Sequence, residues 1–193
     1  MDNPLIINIG RQYGSGGRRV AAAIGEKLGI PVYDKELIIA AAKKSGYSPE
    51  VFRRKDEKKR FFSFFSNSGI DDNEVFRIQS EVIRDLAAQG PAIFLGRASD
   101  YVLRDRRCLN VFLSCPLGLR RKYIAERRSV DETQAEAICQ REDKERENYY
   151  NFFTFRNWGV ASNYDLCLDT SLLGIEGTAD FIIDFARRSG FPV

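Results

Sequence analysis

A short β-branched run, Leu5-Ile6-Ile7-Asn8-Ile9, stops at the glycine-rich stretch Gly10-Arg11-Gln12-Tyr13-Gly14-Ser15-Gly16-Gly17, and a segment of helical composition runs on from Arg18 to Leu28. The pattern reads as strand, tight loop, helix. Such a turn presents backbone N–H groups and a helix N-terminus to an anion, which makes it the natural place for a phosphate. A plain glycine turn that lets the helix pack closely is the competing reading. Either way the chain must build an α/β layer from its first residues onward.

The common phosphate-loop spelling is G-x-x-x-x-G-K-[ST]. Setting Gly16 on its second glycine places Arg11 at the first, Gly17 at the lysine and Arg18 at the hydroxyl position. The loop therefore lacks both side chains that normally serve the transferring phosphoryl group and its magnesium ion. Main-chain donors survive such changes. Tyr13, Gly14, Ser15, Gly16, Gly17, Arg18 and Arg19 are accordingly expected to cradle a bound phosphate, with Arg11, Arg18 and Arg19 as candidates for the missing charge and Ser15 as the loop's hydroxyl.

Further along, Val32-Tyr33 follows Pro31 as a second strand, with Asp34 at its end and a helix expected over Leu37–Lys44. Periodicity breaks down from Ser45 to Asn73, where a charge run (Arg53 to Arg60) precedes an aromatic cluster (Phe61 to Phe65). This segment reads as an inserted flap. Asp72 or Asn73 can cap a helix ending near Gln89, with Val75, Ile78, Val82 and Leu86 on one stripe. Ala92–Leu95 is a third strand leading into Gly96-Arg97, and Leu109–Ser114 a fourth. A basic helix from Pro116 to about Arg128 follows, and Ser129 to Glu132 spells a capping box for the next helix. The aromatic stretch Tyr149–Phe155 leads to a fifth strand over Asn163–Asp169, and Ile175–Arg188 is an amphipathic last helix. Alternating strands and helices give an α/β protein: five mostly parallel strands, helices on both faces, and ligands at the carboxyl ends of the strands.

Composition removes whole classes of chemistry. The chain of 193 residues contains no histidine, which excludes Ser-His-Asp and Cys-His catalysis and histidine metal sites. Cys108, Cys115, Cys139 and Cys167 show no C-x-x-C spacing and read as reduced core residues, although a pairing of two of them stays open at this level. No apolar run reaches a membrane span and no basic-then-apolar leader opens the chain, so a soluble cytoplasmic protein is expected. Arg120-Arg121-Lys122 and Arg127-Arg128 form a basic helix face, yet the net charge is only +3, so nucleic acid is not an expected partner. The aromatic clusters Phe61–Phe65 and Phe152–Phe155, where exposed, are candidates for a homodimer contact.

The loop, strand-end Asp34, strand-end Gly96-Arg97 and an Arg/Lys-rich helix before an aromatic segment, in this order, resemble the nucleoside monophosphate kinases. Arg11-Gln-Tyr-Gly-Ser-Gly-Gly-Arg18, Tyr33-Asp-Lys-Glu-Leu37 and Asn163-Tyr-Asp-Leu-Cys-Leu-Asp-Thr170 look most like the cytidylate kinase-like family. That resemblance implies a three-layer P-loop NTPase-like domain over residues 1–193, with a monophosphate-binding flap near 45–73 and a lid near 141–160. It implies ATP and Mg2+ as cofactors, the ion held mainly by phosphates and water rather than by protein ligands. Asp34, Arg97 and Lys144 would bind the nucleotide acceptor, while Arg18, Arg97, Arg141 and Arg146 would act on the transferring group. Four positions depart from the pattern: an arginine six residues beyond the strand-end acid falls on Ala40, the acids of a D-G-R-D motif fall on Leu95 and Ala98, and the last lid arginine falls on Asn148. The activity implied is phosphoryl transfer from ATP to a nucleoside monophosphate, CMP or dCMP before others. A nucleotide-binding sensor that has lost the chemistry, and a kinase for another small acceptor, are the alternatives.

Overall fold

Alternation along the first strand sorts the core into two halves. In the computed structural model, which describes residues 4–34 and 72–193, β1 (Ile6–Arg11) is the middle strand of five. Successive side chains point to opposite faces of a strand. Ile7 and Ile9 therefore join one buried cluster and Ile6 the other. The remaining strands are β2 (Val32–Tyr33), β3 (Ala92–Leu95), β4 (Leu109–Ser114) and β5 (Leu166–Asp169), in the order β2-β3-β1-β4-β5. All four pairings are parallel, so the sheet is more uniform than the mostly parallel one expected.

On one face, α1 (Gly17–Leu28) packs beside α6 (Thr170–Arg188), and Val20, Ile24, Ile182 and Ala186 meet the strands there with no exposed surface. On the other, α2 (Asp72–Gln89) and the short α3 (Ser99–Val102) cover Ile6, Ala92 and Phe94 through Ile78, Val82, Ile83 and Leu103. Each fully buried Ile or Leu of this kind contributes about 1.5–3 kcal/mol. A hairpin of α4 (Leu117–Arg128) and α5 (Glu132–Thr154) stands outside these layers around its own small core of Ile124, Ala135 and Cys139. With β3 and β4 on either side of β1, the connections diverge at its carboxyl end, and this divergence opens a crevice.

Several local expectations need correction. Ser129 does not cap α5: it ends α4 in the left-handed region at φ 54°. Asp131 caps instead, its carboxylate accepting from the Gln134 N–H at 2.7 Å, where a negative charge also suits the helix dipole. Tyr149–Thr154 is not a separate aromatic segment but the last turns of α5, because Tyr149 and Phe153 lie one turn apart and pack on Phe76 of α2. The expected fifth strand shortens to Leu166–Asp169, since Ala161–Asn163 form a 3-10 turn. The last helix starts early at Thr170, capped by Asp169, and is broken at Gly174 (φ 65°) before its main length. Helix α3 was not anticipated. All four cysteines are free thiols, and Cys167 is exposed rather than in the core.

The helix expected over Leu37–Lys44, the Phe61–Phe65 cluster, Ala40 and all but the last two residues of the 45–73 flap lie outside the described residues. Asp72 and Asn73 open α2. Among the described residues no helix is long and apolar enough to cross a membrane.

Gly25 gives this architecture a test. Alanine would gain about 1 kcal/mol of helix propensity at an internal position of α1. A Cβ there, however, would stand 2.7 Å from Val32 Cγ2 and 2.9 Å from the backbone oxygen of Ile30, which cannot move aside. Overpacking of this kind costs about 1–3 kcal/mol. Gly25→Ala is therefore expected to lower stability in urea denaturation; a rise would show that the α1–β2 turn is looser than described.

Candidate active site

The loop between β1 and α1 owes its shape to glycines and its position to distant partners. Gly14 and Gly16 stand at φ 78° and 79°, and a Cβ on Gly16 would reach within 2.6 Å of Ile175 Cδ1. Both positions therefore favour glycine. The buried Ser15 hydroxyl donates back to the Gln12 carbonyl at 2.9 Å, and Thr170 Oγ1 donates to the Ser15 carbonyl at 2.7 Å. Gln12 N–H donates to Leu113 and Gln12 Oε1 accepts from the Cys115 N–H, which fastens the loop to the end of β4. No side chain caps the N-terminus of α1, and no acid lies in its first turn. Its positive end is left for an anion.

The second anchor comes from the helical hairpin. Arg120, only 6% exposed, donates through Nε to the Cys115 carbonyl at 2.8 Å and through Nη1 to the Tyr13 carbonyl at 3.1 Å and to Asp143 Oδ2 at 2.5 Å. Asp143 Oδ1 in turn accepts from the Tyr13 N–H at 2.6 Å. Arg146, one turn of α5 from Glu142, donates to the Arg11 carbonyl at 2.8 Å and lies 5.3 Å from the centre of the Tyr13 ring. Arg128 holds the same tyrosine from its hydroxyl end at 2.6 Å.

A cavity of about 570 Å³ opens between the loop, the end of β3 and α5. Arg11, Arg18, Arg19, Arg97, Arg127 and Arg146 line it, with Asp34, Asp100, Glu142 and Glu145 as the acids. Burial first, then the like charges of Arg146, Arg97 and Arg18, pull the Arg11 guanidinium well below its ordinary pKa, with Asp34 opposing. Burial also lowers Arg146, against Asp143 and Glu142. Arginine keeps its proton in proteins. The shifts therefore register first the cost of burying these guanidinium groups and, at Arg11, the crowding of like charge, both of which a bound anion would offset.

Arg11 lies against the position where a loop lysine is usual. A Cβ on Gly17 would sit 2.9 Å from Arg11 Cγ, and one on Gly96 would collide with the Arg11 guanidinium. Arg11 thus runs across the lysine position and ends beside the end of β3. Relative to the usual spelling, the loop has exchanged its first glycine and its cation. This pairing of positions 11 and 17 was not visible in the sequence.

Most of the expected residues meet at this cavity. Tyr13, Gly14, Gly16, Gly17, Arg18, Arg19, Asp34, Arg97 and Arg146 all line it. Arg18 forms an ion pair with Asp34, joining the loop to the end of β2. Arg97 takes up the left-handed region at φ 64° after Gly96 and lies 5.3 Å from the Tyr149 ring centre. Ser15 supports the loop from inside. Arg141 and Lys144 lie off the cavity, on the exposed side of α5, where they pair with Glu142 and Glu145 and with Glu147 respectively. Helical phase is the reason: Glu142, Glu145, Arg146 and Tyr149 share the inward stripe, and positions 141 and 144 do not. Phe153 is packed on Phe76, whereas Phe155 is 92% exposed. Asp100 was not singled out from the sequence, Arg120 was read only as part of a basic helix face, and Asp143 only as one charge of the lid run, since a basic run or an isolated acid carries no signal of its partner.

Uncapped N–H groups, a glycine-shaped loop and converging guanidinium groups fit a polyphosphate. Among the described residues no three acidic, cysteine or histidine side chains gather to ligate a cation. A magnesium ion would depend on phosphate oxygens and water, as this ion often does.

Comparison with known proteins agrees with this geometry. The profile of the cytidylate kinase-like family matches residues 6–172. The chain is similar to the cytidylate kinase of Methanocaldococcus jannaschii, 26% identical over 183 residues that span 92% of this chain and 95% of that protein. It superposes on the crystal structure of an uncharacterized protein from Eubacterium ventriosum with a TM-score of 0.78 and 30% identity, covering 96% and 99% of the two chains. A shikimate kinase from Acinetobacter baumannii shares the fold at a TM-score of 0.56 and 15% identity, with 97% and 94% covered.

The exchange of positions 11 and 17 can be tested directly. Gly17→Lys alone should cost about 1–3 kcal/mol through overlap with Arg11. Arg11→Gly combined with Gly17→Lys should recover much of that loss. Denaturation of both variants checks this, and simple additivity of the two single effects would refute the steric coupling.

Proposed function

The chain belongs to the cytidylate kinase-like family, and from that premise we propose that it transfers the γ-phosphoryl group of ATP to a nucleoside monophosphate, CMP or dCMP before others. The observation that carries this reading is the convergence of Arg11, Arg18, Arg97 and Arg146 on one cavity at an uncapped helix N-terminus. Phosphoryl transfer needs positioning and charge neutralisation, not a covalent nucleophile, which suits a chain without histidine.

In this reading the backbone between Gly14 and Arg18 holds the donor phosphates; the expected ends of the cradle drop out, because the Tyr13 N–H is given to Asp143 and the Arg19 N–H to the Gly16 carbonyl. Arg11 and Arg146 supply the positive charge that a loop lysine would otherwise bring. Arg97, with Asp34 and its partner Arg18, holds the acceptor phosphate on the other side of the transferring group. Magnesium, bound with the nucleotide, supplies further counter-charge on the phosphates. Because Arg146 donates to the Arg11 carbonyl, its guanidinium is held at the end of β1 before any ligand arrives. Preorganised charge of this kind is worth about 10²–10³ in rate per group.

One observation favours a second reading. Arg18 occupies the position of the usual magnesium-binding hydroxyl and is paired with Asp34, which suits a nucleotide-binding sensor that has lost turnover. Transfer of labelled γ-phosphate from ATP with magnesium, across CMP, dCMP, UMP, AMP and GMP, separates the two. Multiple turnovers establish the kinase; thermal stabilisation by nucleotide without turnover establishes the sensor. In the kinase case Arg97→Ala and Arg146→Ala should each lower kcat by about 10²–10³ with the fold retained. Arg141→Ala and Lys144→Ala should have much smaller effects, and an equal loss in those variants would return the outer face of α5 to the site.

A further inference from the structure

The first turn of α6 is not placed by the burial of apolar surface. Leu172 is 81% exposed and Ser171 and Leu173 also face solvent, whereas the polar Thr170 is buried. The turn begins where Asp169, at the end of β5, accepts from the Ser171 N–H at 2.9 Å, and it ends at Gly174, whose φ of 65° breaks the helix. Residues 170 and 175 of an unbroken helix would point about 140° apart. With the break, both reach the phosphate loop, and they meet neighbouring residues of it: Thr170 bonds to Ser15 and Ile175 lies against Gly16.

Thr170 Oγ1 donates to the Ser15 carbonyl at 2.7 Å, with the Ser114 carbonyl as a second acceptor 3.2 Å away at the end of β4. Among the described residues no other group donates to the Ser15 carbonyl. The C=O and N–H of a trans peptide lie in one plane and point in opposite directions. Holding the Ser15 carbonyl against α6 therefore turns the Gly16 N–H the other way, toward the cavity that Gly16 lines. That N–H has no hydrogen-bond partner among the described residues. Glycine takes either sign of φ at little cost, so the residue at 16 does not by itself fix which way this peptide faces. The direction is fixed from outside, by a hydroxyl 155 residues away in the chain.

We propose that Thr170 is a positioning residue for phosphate binding, acting by turning the Gly16 N–H into the anion site. Thr170 itself lies behind the loop and does not line the cavity. The inference deepens the proposed function and rests on it for the identity of the anion, the polyphosphate of ATP. A backbone donor aimed at a charged oxygen is worth on the order of tenfold in affinity when it is correctly oriented, and little when the peptide turns away.

The test measures binding of ATP with magnesium to the full chain by calorimetry, with turnover followed separately. Thr170→Val keeps the shape and removes the donor, and should weaken ATP by about tenfold or more. Thr170→Ser restores the hydroxyl and should return affinity to within about threefold of the parent. Ser80→Ala removes a comparable buried hydroxyl, whose bond to the Phe76 carbonyl lies on the other face of the sheet, and should leave ATP affinity unchanged. In turnover, Thr170→Val should raise KM for ATP and leave KM for the acceptor as it was. In the parent, the Gly16 amide resonance should move when ATP is added, a readout that holds even where Thr170→Val does not fold. A Gly16 amide that stays still, parent affinity in Thr170→Val, an equal loss in Thr170→Ser or Ser80→Ala, or no binding of ATP by the parent would overturn the inference. ATP affinity that depends on the Thr170 hydroxyl, in a parent without turnover, sinks the kinase reading and leaves the positioning role standing; turnover with Thr170→Val unaffected does the reverse.

Discussion

The contact on which the site depends is the one between Asp143 of α5 and the backbone of the first loop. Asp143 takes the Tyr13 N–H while Arg120 binds both Asp143 and the Tyr13 carbonyl, so a single peptide unit is held at both of its polar groups. Removing either partner would leave the other charge buried and uncompensated, a loss that typically costs about 3–5 kcal/mol. The α4–α5 hairpin has a core of its own and does not share the layers of the sheet. Without this ion pair its position would rest on Arg146 and Arg128 at the loop and on the packing of Tyr149 and Phe153 against Phe76.

From that contact the electrostatics follow. Docking of α5 brings Arg146 to the Arg11 carbonyl and over the Tyr13 ring, within the field of Arg11, Arg18 and Arg97. So many guanidinium groups in one cavity oppose folding unless something offsets them. Asp34 does so in part through Arg18. Rigid placement beforehand has a chemical use, because charge already fixed need not reorganise when an anion arrives. The exchange between positions 11 and 17 belongs to the same logic: a long side chain from the end of β1 crosses above a glycine at the start of α1, so cation and backbone cradle share a small volume.

Much of this architecture was legible beforehand, and the reasons differ by element. Strands β1, β3 and β4 declared themselves because runs of four or five mostly apolar residues, broken only by Asn8 and Asn110 and bounded by glycine, polar or proline residues, have few other uses. The loop was legible because glycine at φ near 80° is a backbone requirement written as a residue type. Capping was less so. Ser129 and Asp131 both have the chemistry of a cap, and only the end of α4 in the left-handed region decides between them. Arg97 and Arg146 face the cavity whereas Arg141 and Lys144 do not, since three cations within six residues look alike until helical phase is fixed by a neighbour.

The sequence by itself determined a parallel α/β sheet, a phosphate-shaped loop at the end of its first strand, and a chemistry without histidine, because each of these follows from local steric rules or from a residue type that is simply absent. Which charges meet was decided only by the tertiary structure. Arg120 and Asp143 are 23 residues apart, Tyr13 and Asp143 are 130 apart, and Tyr150 and Asp100 are 50 apart. Pairings at such separations depend on how the helices dock. Docking is set by the summed burial of apolar stripes, and the polar side chains those stripes carry along take whatever partners they then face.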